Sequence, residues 1–202
     1  MGWSTPVGAT PATASPFEAR LHTETIAAAA APFADITGIS QDYRELYGRI
    51  QCISNVSGAN DWVLVEVNGV TSLTDYKSVY NYGYSATSPA DGAALTYAGN
   101  VRTGTTYSNT FGMAAGASTG AVIQDQLIEF WIRDYSQARN QVITWSSTCF
   151  LTTTARIYSW WGVNTYSPGT PAAITSLTGL DPNNGTGWAV GSTIELWGRG
   201  SS

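Results

Sequence analysis

Gln126-Leu-Ile-Glu-Phe-Trp-Ile-Arg-Asp134 decides the fold class. Leu127, Glu129, Trp131 and Arg133 alternate with Ile128, Phe130 and Ile132, and this period of two is that of a half-buried strand. Tyr135-Ser136 opens a turn, after which strands are expected near 141–152 (QVITWSSTCFLT), 155–163 (ARIYSWWGV), 172–178 (AAITSLT) and 192–198 (STIELWG). Upstream, 44–54 (RELYGRIQCIS) and 61–68 (DWVLVEVN) read the same way. In the second, Val63, Val65 and Val67 form the core face, and Trp62, Leu64, Glu66 and Asn68 the other. Asn68-Gly69 has the form of a hairpin turn ahead of Val70 to Leu73 and the aromatic stretch Tyr76, Tyr80, Tyr82, Tyr84.

The one helix-forming run, Ala27–Ala31, is stopped by Pro32 and too short to hold itself, so it is read as an extended edge segment leading into 33–39. Residues 85–122, rich in Gly, Ala, Ser and Thr, read as loops with short strands at one end or edge. Eight or so short strands, no convincing helix and no internal repeat predict an all-β protein, most simply a jelly-roll-like antiparallel β-sandwich. Residues 23–202 form this domain. Residues 1–22, made of Ser, Thr, Ala and Pro with Trp3 and Phe17 as apolar punctuation, are expected to be an extended N-terminal arm. Such a segment cannot bury enough surface to offset its own ordering, so Trp3 and Phe17 are candidate contacts to a partner.

Composition narrows the function classes. Among 202 residues, 43% are hydrophobic, 12% aromatic and only 11% charged, less than half the roughly 25% usual for a globular chain. So few charges and so many rings point to a surface that buries itself against partners. The net charge of −5 lacks the phosphate-neutralising component of nucleic-acid binders, so no nucleic-acid partner is expected. Residues 1–16 have no charged side chain and three prolines, unlike a secretory leader, and the longest apolar run, Ile26 to Phe33, is far short of a bilayer span. A soluble chain made in a cytosol, with no membrane contact, is the expectation.

Cys52 and Cys149 are read as small apolar core residues rather than a bridge. His22 is the only histidine, and no zinc motif or Ser-His-Asp arrangement is recognisable. Glu66, Glu129 and Asp134 are the only acids in firm strands, and their spacing does not pair them for glycan hydrolysis; Asp134 is expected to cap the turn at Tyr135. The run Asp181-Pro-Asn-Asn-Gly-Thr186 lacks the spaced acids of a calcium loop and reads as a turn. No catalytic residue, cofactor or metal is therefore expected.

The end of the chain carries a further pattern: Ala172-Ala-Ile-Thr-Ser-Leu-Thr178, then Asp181-Pro-Asn-Asn-Gly-Thr-Gly-Trp188, then Ala189-Val-Gly-Ser-Thr-Ile-Glu-Leu-Trp-Gly198. With Phe33, Ile36 and Ile39 ahead of Tyr43 and Leu46, an Asn-Gly after the third strand, the tyrosine-rich segment and Ile132-Arg-Asp-Tyr-Ser136, it resembles a family of tailed-bacteriophage virion proteins over residues 23–198. The resemblance implies a jelly-roll module used as a capsid decoration (cement) protein, usually a homotrimer on the major capsid protein lattice, and also as a module of tail fibres and spikes. A single module without repetitive shaft segments fits the capsid exterior better than a fibre. The expectation is a non-enzymatic virion structural protein assembled in the host cytoplasm. A tail component is the second reading and a carbohydrate-binding module the third.

Two groups are candidate partner contacts within the domain. Tyr80, Tyr82 and Tyr84 share a strand face and either pack the sheet or an interface, which is the favoured reading, or form a platform for sugar rings. Trp160 and Trp161 must point to opposite faces of a strand, one into the core and one outward as an interface anchor.

Overall fold

Residues 127–133 lie at the centre of an eight-stranded antiparallel sheet in the computed structural model, which describes residues 18–55, 60–84, 98–103, 108–116, 123, 126–151, 156–183 and 187–201. In chain order the strands are β1 (Glu18–Thr25), β2 (Ile36–Thr37), β3 (Tyr43–Gln51), β4 (Ile53–Ser54), β5 (Asn60–Leu64), β6 (Glu66–Val67), β7 (Tyr76–Tyr84), β8 (Ala98–Thr103), β9 (Thr110–Gly116), β10 (Leu127–Arg133), β11 (Gln141–Leu151), β12 (Arg156–Tyr166), β13 (Ser176–Thr178) and β14 (Thr193–Ser201). A 3-10 turn at Leu73–Asp75 is the one helical element of defined length among the described residues.

The large sheet runs β1-β14-β3-β10-β11-β12-β7-β8, and two three-stranded sheets, β2-β13-β6 and β4-β9-β5, accompany it. β9 packs on the inner face of β10, β11 and β12. The protein is thus the all-β, layered sandwich that the strand alternation predicts; jelly-roll connectivity is a finer statement than this strand order makes.

The period-two pattern decides which side chains meet between the layers. Ile128, Phe130 and Ile132 are buried together with Leu46, Ile50, Ile143, Trp145, Ile194 and Leu196 from neighbouring strands. Phe130 meets Phe111 of β9 at 4.7 Å between ring centroids. Val63, Val65 and Val67 have no exposed surface, as expected, although the segment divides into β5 and β6 where the Val65 N–H turns to donate to the carbonyl of Asn109. Cys52 separates β3 from β4 in the same way, and it and Cys149 are buried and unbridged. Trp188 closes the far end of the core, its Nε1 donating to the Leu180 carbonyl at 2.9 Å and its ring 5.8 Å from Phe33.

Several expectations are corrected. Strand β1 begins at Glu18, so residues 18–22 belong to the sheet and not to an arm; their backbone groups find partners on β14, which composition alone does not reveal. Trp3 and Phe17 lie outside the described residues. Within the region expected at an end or edge, β9 is instead buried along its whole length in the middle of its sheet. Its Gly112, Ala114, Ala115 and Gly116 are small enough for a strand to lie close against the large sheet: a Cβ on Gly112 would come within 2.6 Å of Ile128 Cγ2. Asn68 and Gly69 do form a turn with positive φ at both, but no hairpin follows. Instead β6 pairs with β13, and the Asn68 side chain ties down the approach to it, accepting from the Thr175 N–H at 2.8 Å and donating to the Ala173 carbonyl at 2.9 Å.

Candidate interaction face

The face of the large sheet turned away from β9 is built by the residues that alternate with the core. Because the strands are in register, these residues form rows across the sheet. One row runs Trp197, Tyr47, Trp131, Thr144, Val163, Val79 through β14, β3, β10, β11, β12 and β7. The row beside it runs Glu195, Arg49, Glu129, Ser146, Trp161, Asn81. On the other side lie Arg199, Glu45 and Arg133 of β14, β3 and β10, and Val142, Thr165 and Lys77 of β11, β12 and β7.

These rows divide the face into two chemically different halves. In the β14-β3-β10 half, six of the nine side chains are charged, and the signs alternate between neighbouring strands. Arg133 pairs with Glu45 at 3.4 Å, and Tyr47 donates its hydroxyl to Glu129. The Arg199 guanidinium lies 4.2 Å from the centroid of the Tyr47 ring, and the Tyr47 and Trp131 rings are 5.4 Å apart. Burial and the hydrogen bond to Glu129 push the Tyr47 hydroxyl up to about 12. Two of its charges are met from β1: Arg199 Nε donates to Glu18 at 2.9 Å, and Arg20 lies 3.5 Å from Glu195.

The β11-β12-β7 half holds one charge among nine, Lys77. Its apolar side chains are open: Val79 is 49% exposed, Val142 51%, Val163 42% and Trp161 41%. Ile157, further along β12, is exposed as well. Five of the six large apolar residues exposed among the described residues therefore lie on this half of one sheet, and only Val190 lies elsewhere. Exposed apolar residues scattered singly are ordinary, but a contiguous group is the usual mark of a contact surface.

At one end the two halves meet a charged cluster. Asp134, at φ 52°, accepts from Arg44 Nε and Arg139 Nη2, each at 2.8 Å. The hydrogen bond from Arg44, with the charges of Arg44 and Arg139, holds its carboxyl below the ordinary value. The turn is closed through its backbone, the Asp134 carbonyl accepting from the Gln137 N–H; the side chain, expected to cap that turn, is instead an ion-pair hub. A depression of about 560 Å³ opens here beside Trp131, Val142, Arg133 and Arg139. Among the described residues no group of three His, Cys, Asp or Glu is placed to hold a metal ion.

The candidate contact residues separate on this structure. Trp160 is buried, its ring stacked on Tyr158 at 5.2 Å, while Trp161 points outward, the division that two adjacent residues of one strand require. Tyr80 is buried between Trp62, at 4.9 Å, and Trp145, at 6.2 Å, and Tyr82 packs against the core. Tyr80 and Tyr82 are thus sheet packing and form no platform for sugar rings. Tyr84 pairs with Tyr158 through the backbone, and its side chain lies outside the described residues. Val79, Val142 and Val163 were not legible as a group, because only cross-strand register brings them together. Compared with protein-family models, with curated proteins and with solved structures, the chain matches none.

Proposed function

We propose that the chain is a non-enzymatic structural protein of a phage particle, and first a capsid decoration protein that self-associates and clamps the major capsid protein lattice. The observation that carries this reading is the gathering of exposed apolar side chains on one half of one sheet face, a surface made for a stable protein contact rather than for a small ligand. The scarcity of charge in the whole chain supports it. The resemblance of residues 23–198 to phage virion proteins supplies the particle, the capsid lattice and the homotrimer as the specific form of that contact. A ligand that binds the assembled shell and not its free subunits stabilises the shell at every site it occupies, about 2.7 kcal/mol per site at a hundredfold excess over Kd.

The test is reconstitution. Particles assembled without this chain should bind the purified protein on co-sedimentation and regain resistance to heat. Particles of undiminished heat stability that have lost host adsorption would place the chain in the tail instead, the second reading. Binding of the isolated chain to a glycan array with no affinity for particles would overturn both.

A further inference from the structure

We infer that the β11-β12-β7 half of the exposed face is where copies of this chain pack on one another, each copy turning this half toward a shared symmetry axis. The inference deepens the proposed function and rests on it only for the idea that the chain self-associates. Its first ground is charge. A surface that selects a foreign partner uses complementary charges to orient it and reject others, and this half offers one, Lys77, among nine residues. Beside a symmetry axis the same residues of each copy come together, so a charge there would face its own kind, and a half with almost none can close on its copies without repulsion. The adjoining β14-β3-β10 half, by contrast, carries six charges of both signs, five of which, all but Arg49, have ion-pair or hydrogen-bond partners in the same chain.

The second ground is size. Three strands about 4.8 Å apart, with side chains open over roughly 25 Å, present on the order of 350 Å². A standard interface takes about 800 Å² from each partner, of which the apolar portion is a little over half. Four of the nine side chains on this half are apolar, so it supplies the centre of a contact and not its whole area. The six-strand face that includes β14, β3 and β10 presents about twice as much, on the order of 700 Å², close to one partner's share, with the charged half, the Asp134 cluster and Lys77 as its polar rim. Val163 is at its middle, flanked in register by Thr144 and Val79, and Trp161 stands beside it.

The experiment is sedimentation velocity on the full chain at micromolar concentration. The wild type is expected to sediment as an oligomer. Val163→Glu, and independently Val79→Lys, should shift it to monomer, with at least a tenfold loss in association. Val190→Glu, at an equally exposed valine off this face, should leave it assembled. Circular dichroism melts distinguish dissociation from unfolding. If both face variants prove misfolded, Val163→Cys supplies the answer under mild oxidation: a covalent dimer supports the assignment, and its absence beside a Val190→Cys dimer overturns it.

A monomeric wild type, or folded face variants that remain assembled, would also overturn it. Particle binding is read separately. Self-association through this face without particle binding removes the proposed function and leaves the surface. Particle binding by a monomeric wild type does the reverse.

Discussion

The ring of Phe130 lies over Gly48 of the neighbouring strand so closely that a Cβ at Gly48 would stand 2.0 Å from Phe130 Cζ. The two are cross-strand partners in the β3–β10 register, and both are fully buried. Phe130 can lean across β3 to meet Phe111 only because Gly48 has no side chain. Gly48→Ala forces the ring out of that position, and overpacking of this kind costs about 1–3 kcal/mol. The expected result is a lower urea midpoint with an unchanged slope. An unaltered midpoint would show that the ring has another place to go.

Asn164 ties the layers together by hydrogen bonds. It is fully buried on β12, accepts from Trp145 Nε1 at 3.1 Å, and donates through Nδ2 to the Thr110 carbonyl of β9. Asn164→Leu keeps the volume but removes a partner from both groups, each about 1–3 kcal/mol to leave unmet. A fall in thermal midpoint larger than that of an exposed substitution such as Thr144→Ser is expected. Equal melting of the two variants would count against the network.

Much of this architecture was legible because it repeats with a period of two. The buried faces of residues 127–133 and 61–67, and the division of Trp160 from Trp161, follow from alternation alone. β9 was not legible as core, since Gly and Ala carry little hydrophobic signal and their value here is to let two layers approach. Residues 18–22 of β1 read as part of an arm because their mostly polar side chains hide the ladder that the strand makes with β14. The exposed apolar patch depends on the pairing of β7, β12 and β11, which no local pattern encodes.

The Asp134 cluster has a definite pH signature. Its folded value lies below the unfolded 3.8, chiefly through the hydrogen bond from Arg44. The stabilising contribution is therefore present above the unfolded value and is lost as pH falls through the folded one. Asp134→Asn tolerates the positive φ while discarding the charge, so it isolates this contribution. Wild type should be the more stable at neutral pH, and the difference should close in acid. A gap that persists at low pH would assign the effect to something other than the carboxylate.

The two thiols should be silent in the folded chain. Burial pushes Cys149 up to about 12 and raises Cys52 as well, so neither is a thiolate near pH 8. An aromatic disulfide reagent is expected to titrate them only when denaturant is added, and then both together. Immediate reaction of either in the native protein would mean that the core at β4 and β11 opens readily.

Salt separates the two halves of the sheet face as interfaces. Contacts between the alternating Arg and Glu rows of β14, β3 and β10 would weaken as ionic strength rises, because screening shortens the reach of exposed charges to about 3 Å at 1 M. Contacts among Val79, Val142, Val163 and Trp161 have almost no Coulombic component, and a strongly excluded salt such as sulfate strengthens apolar burial. Association constants from sedimentation equilibrium should therefore hold steady in sodium chloride and rise in sodium sulfate. A steep loss of association in sodium chloride would move the interface to the charged half, where Arg199, Glu45 and Arg133 would then be its centre.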